Sequence, residues 1–110
     1  MQILEIDTEE RDGFVLVMLR GELDLSTVGQ VQEVLERAEQ SSPRLLAVDL
    51  SKLAFLDSTG LRCLVTADER AREQGRRFAI VRGPDAVQRV FSITGLEERL
   101  EIVDDAGDLS

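Results

Sequence analysis

Leu45-Leu46-Ala47-Val48-Asp49-Leu50 and, shortly after it, Asp57-Ser58-Thr59-Gly60-Leu61 form the stretch on which the fold turns. The first part is a short apolar run interrupted only by Asp49, which reads as a strand. Ser51 to Leu56 reads as a loop with apolar content. The second part opens a helix. Asp-Ser before an apolar-periodic run is an ordinary helix start, and Leu61, Leu64, Val65 and Ala71 carry the period towards a stop near Gly75. A strand feeding a helix is the unit from which parallel sheets are built, so the flanks show whether it recurs.

It recurs on both sides. Upstream, Phe14-Val15-Leu16-Val17-Met18-Leu19 is a continuous apolar run, expected to be a strand buried on both faces. Arg20 to Asp24 reads as its exit. Ser26 or Thr27 is then a helix cap, with Gln30 three residues after Thr27 as a capping box requires. Val28, Val31, Leu35 and Ala38 share one helical face, and Ser41-Ser42-Pro43 ends the helix. Residues 3–8 alternate loosely and make a hairpin with the second strand through Glu9-Glu10-Arg11-Asp12-Gly13. Downstream, Phe78 to Val81 is a fourth strand. Gly83-Pro84-Asp85 starts a third helix with Val87, Val90 and Phe91 inward, Gly95 stops it, and Leu100 to Val103 is a fifth strand. A polar tail follows from Asp104. The order β-β-α-β-α-β-α-β predicts an α/β fold, a mixed and mostly parallel five-stranded sheet covered by helices. With no repeat or linker in view, one domain spans residues 1–110.

Composition narrows the chemistry. The hydrophobic fraction of 43% supports one core, which is aliphatic because Trp and Tyr are absent and Phe occurs four times. Net charge is −9, from 22 acidic and 13 basic residues, which argues against nucleic acid and against an anionic membrane surface. A basic protein patch suits it better. Histidine is absent, which removes Ser-His-Asp and Cys-His catalysis and the commonest metal ligand. There is no phosphate-binding loop and no Gly-x-Ser-x-Gly elbow, so neither enzyme, cofactor nor metal is expected. Cys63 has no partner for an internal disulfide and reads as a small hydrophobe. Met1-Gln2-Ile3-Leu4-Glu5 lacks a basic region and a long apolar stretch, so no signal peptide is expected. No apolar run approaches the ~18 residues of a membrane span, and the expected location is the cytoplasm.

Two stretches carry a family resemblance: Gly21-Glu22-Leu23-Asp24 after the second strand, and Asp57-Ser58-Thr59-Gly60-Leu61 after the third. Ile93-Thr94-Gly95-Leu96 adds a weaker third. With the element order, they make the chain resemble the STAS domain of sporulation and general-stress anti-sigma factor antagonists. The resemblance implies that Ser58 is phosphorylated by a partner serine kinase that is also the anti-sigma factor. It implies that the unphosphorylated form binds that kinase and frees the sigma factor, that phosphorylation breaks the complex, and that a serine phosphatase restores it. A free monomer is the simplest expectation. Family members often end in a longer helix, for which residues 104–110 look too short and too polar.

The expected partner surface is Asp24, Asp57, Ser58, Thr59, Gly60 and Arg62. Ser58 lies at a strand-to-helix junction, where a phosphate is held by free backbone N–H groups and adds roughly −1.5 to −2 charges. Asp24 joins that negative patch if both strand ends meet at one edge of the sheet. Each residue also has a structural reading. From the residues alone Ser58 is a helix cap; Asp57 is a cap or presents Ser58 to the kinase; Thr59 packs in the first turn or is a second acceptor. Asp24 is a turn residue or a partner contact, and Gly60 allows a close approach. Arg62 is exposed and meets a phosphate or a partner. Arg70, Arg72, Arg76 and Arg77 read as a solvated helix end. The alternative function is a structural STAS subunit of a stress-sensing assembly or of a membrane transporter complex, without a phospho-switch.

Overall fold

The computed structural model describes residues 3–109; Met1, Gln2 and Ser110, which belong to the readings of the amino terminus and the tail, lie outside the described residues. The strands are β1 (Leu4–Arg11), β2 (Phe14–Leu23), β3 (Leu45–Leu56), β4 (Arg77–Val81) and β5 (Glu101–Val103), and the helices α1 (Val28–Glu39), α2 (Ser58–Glu73) and α3 (Asp85–Thr94). Short 3-10 turns occupy Leu96–Glu98 and Ala106–Leu109. The five strands lie in the order β1-β2-β3-β4-β5, with β1 antiparallel to β2 and every later pair parallel. The expected α/β sheet is therefore the one found.

Because each parallel strand sits directly beside its predecessor, right-handed crossovers put all three helices on one face. Val31 and Leu35 of α1, Leu61, Leu64, Ala67 and Ala71 of α2, and Val87 and Phe91 of α3 join one buried cluster with Val15, Val17, Leu46, Val48 and Ile80 of the sheet. The reverse face buries Phe14, Leu16, Leu45, Ala47, Ala79 and Val81. Two covered faces explain why the central strands are continuous apolar runs.

Four local expectations change. The hairpin turn is two residues, Asp12 (φ 33°) and Gly13 (φ 88°), because an Asp-Gly pair accepts the positive φ that a tight turn demands. Ser51 to Leu56 is not a loop: β3 runs through it, pairing Gly21 with Leu53, Glu22 with Phe55 and Leu23 with Leu56. The buried residues there, Leu53 and Leu56, are three apart. Register shifts between Met18 and Arg20 and between Gly21 and Glu22 reset the pleat, so a two-residue period misses the strand. β2 likewise continues to Leu23 rather than ending at Leu19. Finally, the residues after Asp104 are not a free tail. Asp105 and Asp108 each accept a backbone N–H within the segment, and Leu109, 3% exposed, closes over the reverse face of the sheet.

Candidate functional site

The motif residues gather where β2 and β3 end. Gly21 has φ 117°, and a Cβ there would stand 2.2 Å from the Ile3 carbonyl oxygen, so only glycine passes. This pinch turns β2 so that Leu23 is buried and its carbonyl accepts the Asp57 N–H at 3.2 Å. The start of α2 is thereby stitched to the exit of β2. Gly60 tightens the same seam: a Cβ would lie 2.7 Å from Leu23 Cγ and 2.8 Å from Leu56 Cδ1. The close approach expected at Gly60 is thus made by β2, and Gly60 is buried.

Asp57, not Ser58, caps the helix. Its Oδ1 accepts the Gly60 N–H at 2.9 Å and its Oδ2 accepts the Leu25 N–H at 3.2 Å. Ser58 is consequently the first helical residue. It is exposed, and its hydroxyl makes no hydrogen bond among the described residues. Thr59 is half-buried, Leu61 faces the core, and Arg62 is exposed.

Asp24 is 5% exposed. Its Oδ1 accepts the Ser26 N–H at 2.9 Å and the Ser26 hydroxyl at 2.7 Å. The Ser26 hydroxyl holds the carboxyl below the usual range; burial pushes the other way, and backbone N–H groups and the Thr27 hydroxyl assist Ser26. The second oxygen, Oδ2, is buried and has no hydrogen-bond partner among the described residues. Thr27 does not form the expected capping box. Its hydroxyl donates to the Glu22 carbonyl at 2.8 Å and accepts the Asp24 N–H at 3.0 Å, which fixes the β2 exit instead of the helix.

Asp24 and Asp57 do meet at one edge of the sheet: with Leu25, Ser26 and Phe55 they line an open hollow of about 580 Å³. Ser58, Thr59 and Arg62 line a smaller one of about 230 Å³. A hollow of about 460 Å³ at the hairpin contains none of the motif residues. Sequence reasoning missed Leu25 and Phe55, which are 75% and 46% exposed at the rim of the Asp24 hollow. The available signal was Phe55 falling between Leu53 and Leu56, out of phase with both. The arginines at the far end of α2 reach solvent as expected, with Arg72 and Arg77 exposed, but they also make ion pairs that the sequence did not mark. Arg70 grips Glu39 through Nε (3.1 Å) and Nη2 (2.8 Å), Arg72 pairs with Asp68 at 2.9 Å, Arg76 donates to the Glu39 carbonyl at 3.0 Å, and Arg77 pairs with Glu101. Burial pushes the Cys63 thiol up to about 11, which leaves it protonated and inert.

A mixed, mostly parallel sheet with its helices on one face and a serine left out of the capping role at the head of the second helix define a class. The STAS domain family model matches residues 5–109, and the chain belongs to that family. Within it the chain is similar to the anti-sigma-B factor antagonist of Staphylococcus aureus (strain NCTC 8325 / PS 47), 33% identical over 99 residues, covering 90% of this chain and 92% of the relative. It is equally similar to the anti-sigma-B factor antagonist of Listeria monocytogenes, 33% identical over 110 residues, covering 100% of this chain and 93% of the relative. The crystal structure of an anti-sigma factor antagonist from Mycobacterium paratuberculosis superposes with a TM-score of 0.90 at 27% identity, over 96% of this chain and 90% of that one. No helix among the described residues is long and apolar enough to cross a membrane.

Proposed function

We propose that the chain is an anti-sigma factor antagonist whose affinity for an anti-sigma serine kinase is switched off by phosphorylation at Ser58. The observation that carries this reading is the division of labour at the helix start. Asp57 takes the capping role, which leaves the Ser58 hydroxyl exposed and unengaged. A cap serine would have to give up its helix bond to react; this one gives up nothing.

The adjoining hollow supports docking of a protein. Leu25 and Phe55 offer apolar contact, and Asp24 and Asp57 place two carboxylates beside them. A cationic side chain on the partner would be drawn to that pair of carboxylates. Asp57 and Thr59 border the same contact. In the transfer step Ser58 Oγ attacks the γ-phosphorus of ATP held by the kinase. The Oγ–P bond forms, the bond from that phosphorus to the β–γ bridging oxygen breaks, ADP leaves, and the hydroxyl proton passes to a base of the kinase. A phosphatase reverses the state with water. The phosphate brings roughly −1.5 to −2 charges to a rim that already holds two carboxylates, which a closely packed partner rejects.

The test is a pull-down by the cognate anti-sigma kinase with ATP present. Ser58→Ala is expected to stay bound, Ser58→Asp to bind poorly, and the unaltered protein to be released as it is phosphorylated. If all three proteins behave alike, the switch is wrong.

A further inference from the structure

Resting on Ser58 as the phosphorylated residue, we infer that Arg62 is the residue that holds the phosphate in the modified form. Ser58 and Arg62 are four apart on α2 and line the same 230 Å³ hollow with Thr59. Residues at that spacing face one another on a helix, and an anion placed four before a cation is the favourable order. The chain uses this arrangement twice already. Glu33 pairs with Arg37 on α1 at 3.2 Å, and Asp68 with Arg72 on α2 at 2.9 Å.

Arg62 is the same arrangement with the anion missing. It is exposed and makes no ion pair or hydrogen bond among the described residues. Its neighbours at three and four positions along the helix are Ser58, Thr59, Val65 and Thr66, none of them acidic. Asp57 is committed to the Gly60 and Leu25 N–H groups, and Asp24 to Ser26. A phosphate on Ser58 completes the pair. Modification then does two things at once: it plants an anion beside the docking hollow and draws the exposed guanidinium away from any partner and onto the helix. A planar guanidinium meets a phosphate through two parallel N–H bonds, so Lys replaces it only in charge.

The experiment installs phosphoserine at position 58 during translation, so no kinase is needed, and follows the second ionisation of the phosphate by phosphorus NMR. A neighbouring cation favours the dianion and lowers that pKa, ordinarily near 6. In Arg62→Gln the value should rise by about 0.15 to 0.4 pH units, and Arg62→Lys should recover part of the difference. The helix start, Asp57 and Asp24 are common to all three proteins, so the difference isolates residue 62. A value in Arg62→Gln within about 0.1 unit of the phosphorylated parent, or below it, overturns the assignment. Because the phosphate is installed directly, this result is independent of whether any kinase modifies Ser58. A clamp found on a protein that is never phosphorylated in cells would sink the switch and not the pairing.

Discussion

The two ends of α2 are built on opposite plans. At the carboxyl end, Arg70 is tied to Glu39 of α1 and Arg72 to Asp68 within α2, and just beyond the helix Arg76 is tied to Glu39 and Arg77 to Glu101 of β5. At the amino end, Ser58 and Arg62 have no partner among the described residues, Asp24 keeps a bare buried oxygen, and Leu25 and Phe55 stand in solvent. One helix thus carries a closed end that holds the fold and an open end that has bonds left to make. The two plans lie about four turns of helix apart, and substitutions at the two ends should separate in the same way.

The largest expected effect lies at the seam joining the open end to the sheet. Gly60→Ala forces a methyl group against Leu23 and Leu56 and should cost about 2–3 kcal/mol in urea unfolding. An effect within about 0.5 kcal/mol would mean that the seam is slack and the serine loosely placed. Asp57→Ala removes the cap and should cost about 1 kcal/mol. Ser58 can then slip into the capping role, and its phosphorylation by a kinase should slow.

Arg70→Met and Arg62→Gln contrast the ends directly. The first leaves the Glu39 carboxylate, 14% exposed, without its partner and should cost about 1 kcal/mol. The second should change the stability of the unphosphorylated protein by less than about 0.5 kcal/mol. Equal losses would erase the distinction. The smallest effect is in acid. The carboxyls of Asp24, held by Ser26, and of Glu101, held by Arg77, sit below the usual range in the folded protein. The unfolded chain therefore binds their protons more readily. The stability they supply is complete above the unfolded value near 4 and is lost as pH falls through the lower folded values. Ser26→Ala should flatten this acid limb in urea melts between about pH 5 and pH 2.

What the sequence made legible follows the same division. Element order, helix faces and the serine at the head of α2 were readable because burial on both faces writes itself as apolar runs and the helix period as Leu61, Leu64 and Ala71. The end of β3 was not, because bulges space Leu53 and Leu56 by three and hide a strand from a two-residue period. Phe55 was missed with it, and Leu25 because nothing local marks an apolar residue as exposed. The ion pairs of Arg70 and Arg77 were not readable because their partners, Glu39 and Glu101, lie far off in sequence. Asp57 and Ser58 are interchangeable as caps in the sequence, and only the hydrogen bond from Gly60 distinguishes them.

The intact mass of the protein purified from its own cells, in growth and under stress, puts the central claim to the most direct trial. The account predicts a fraction carrying a single phosphate, mapped by fragmentation to Ser58, whose size changes with condition. Protein without phosphate at Ser58 in every condition, or phosphorylated only at another residue, would contradict it.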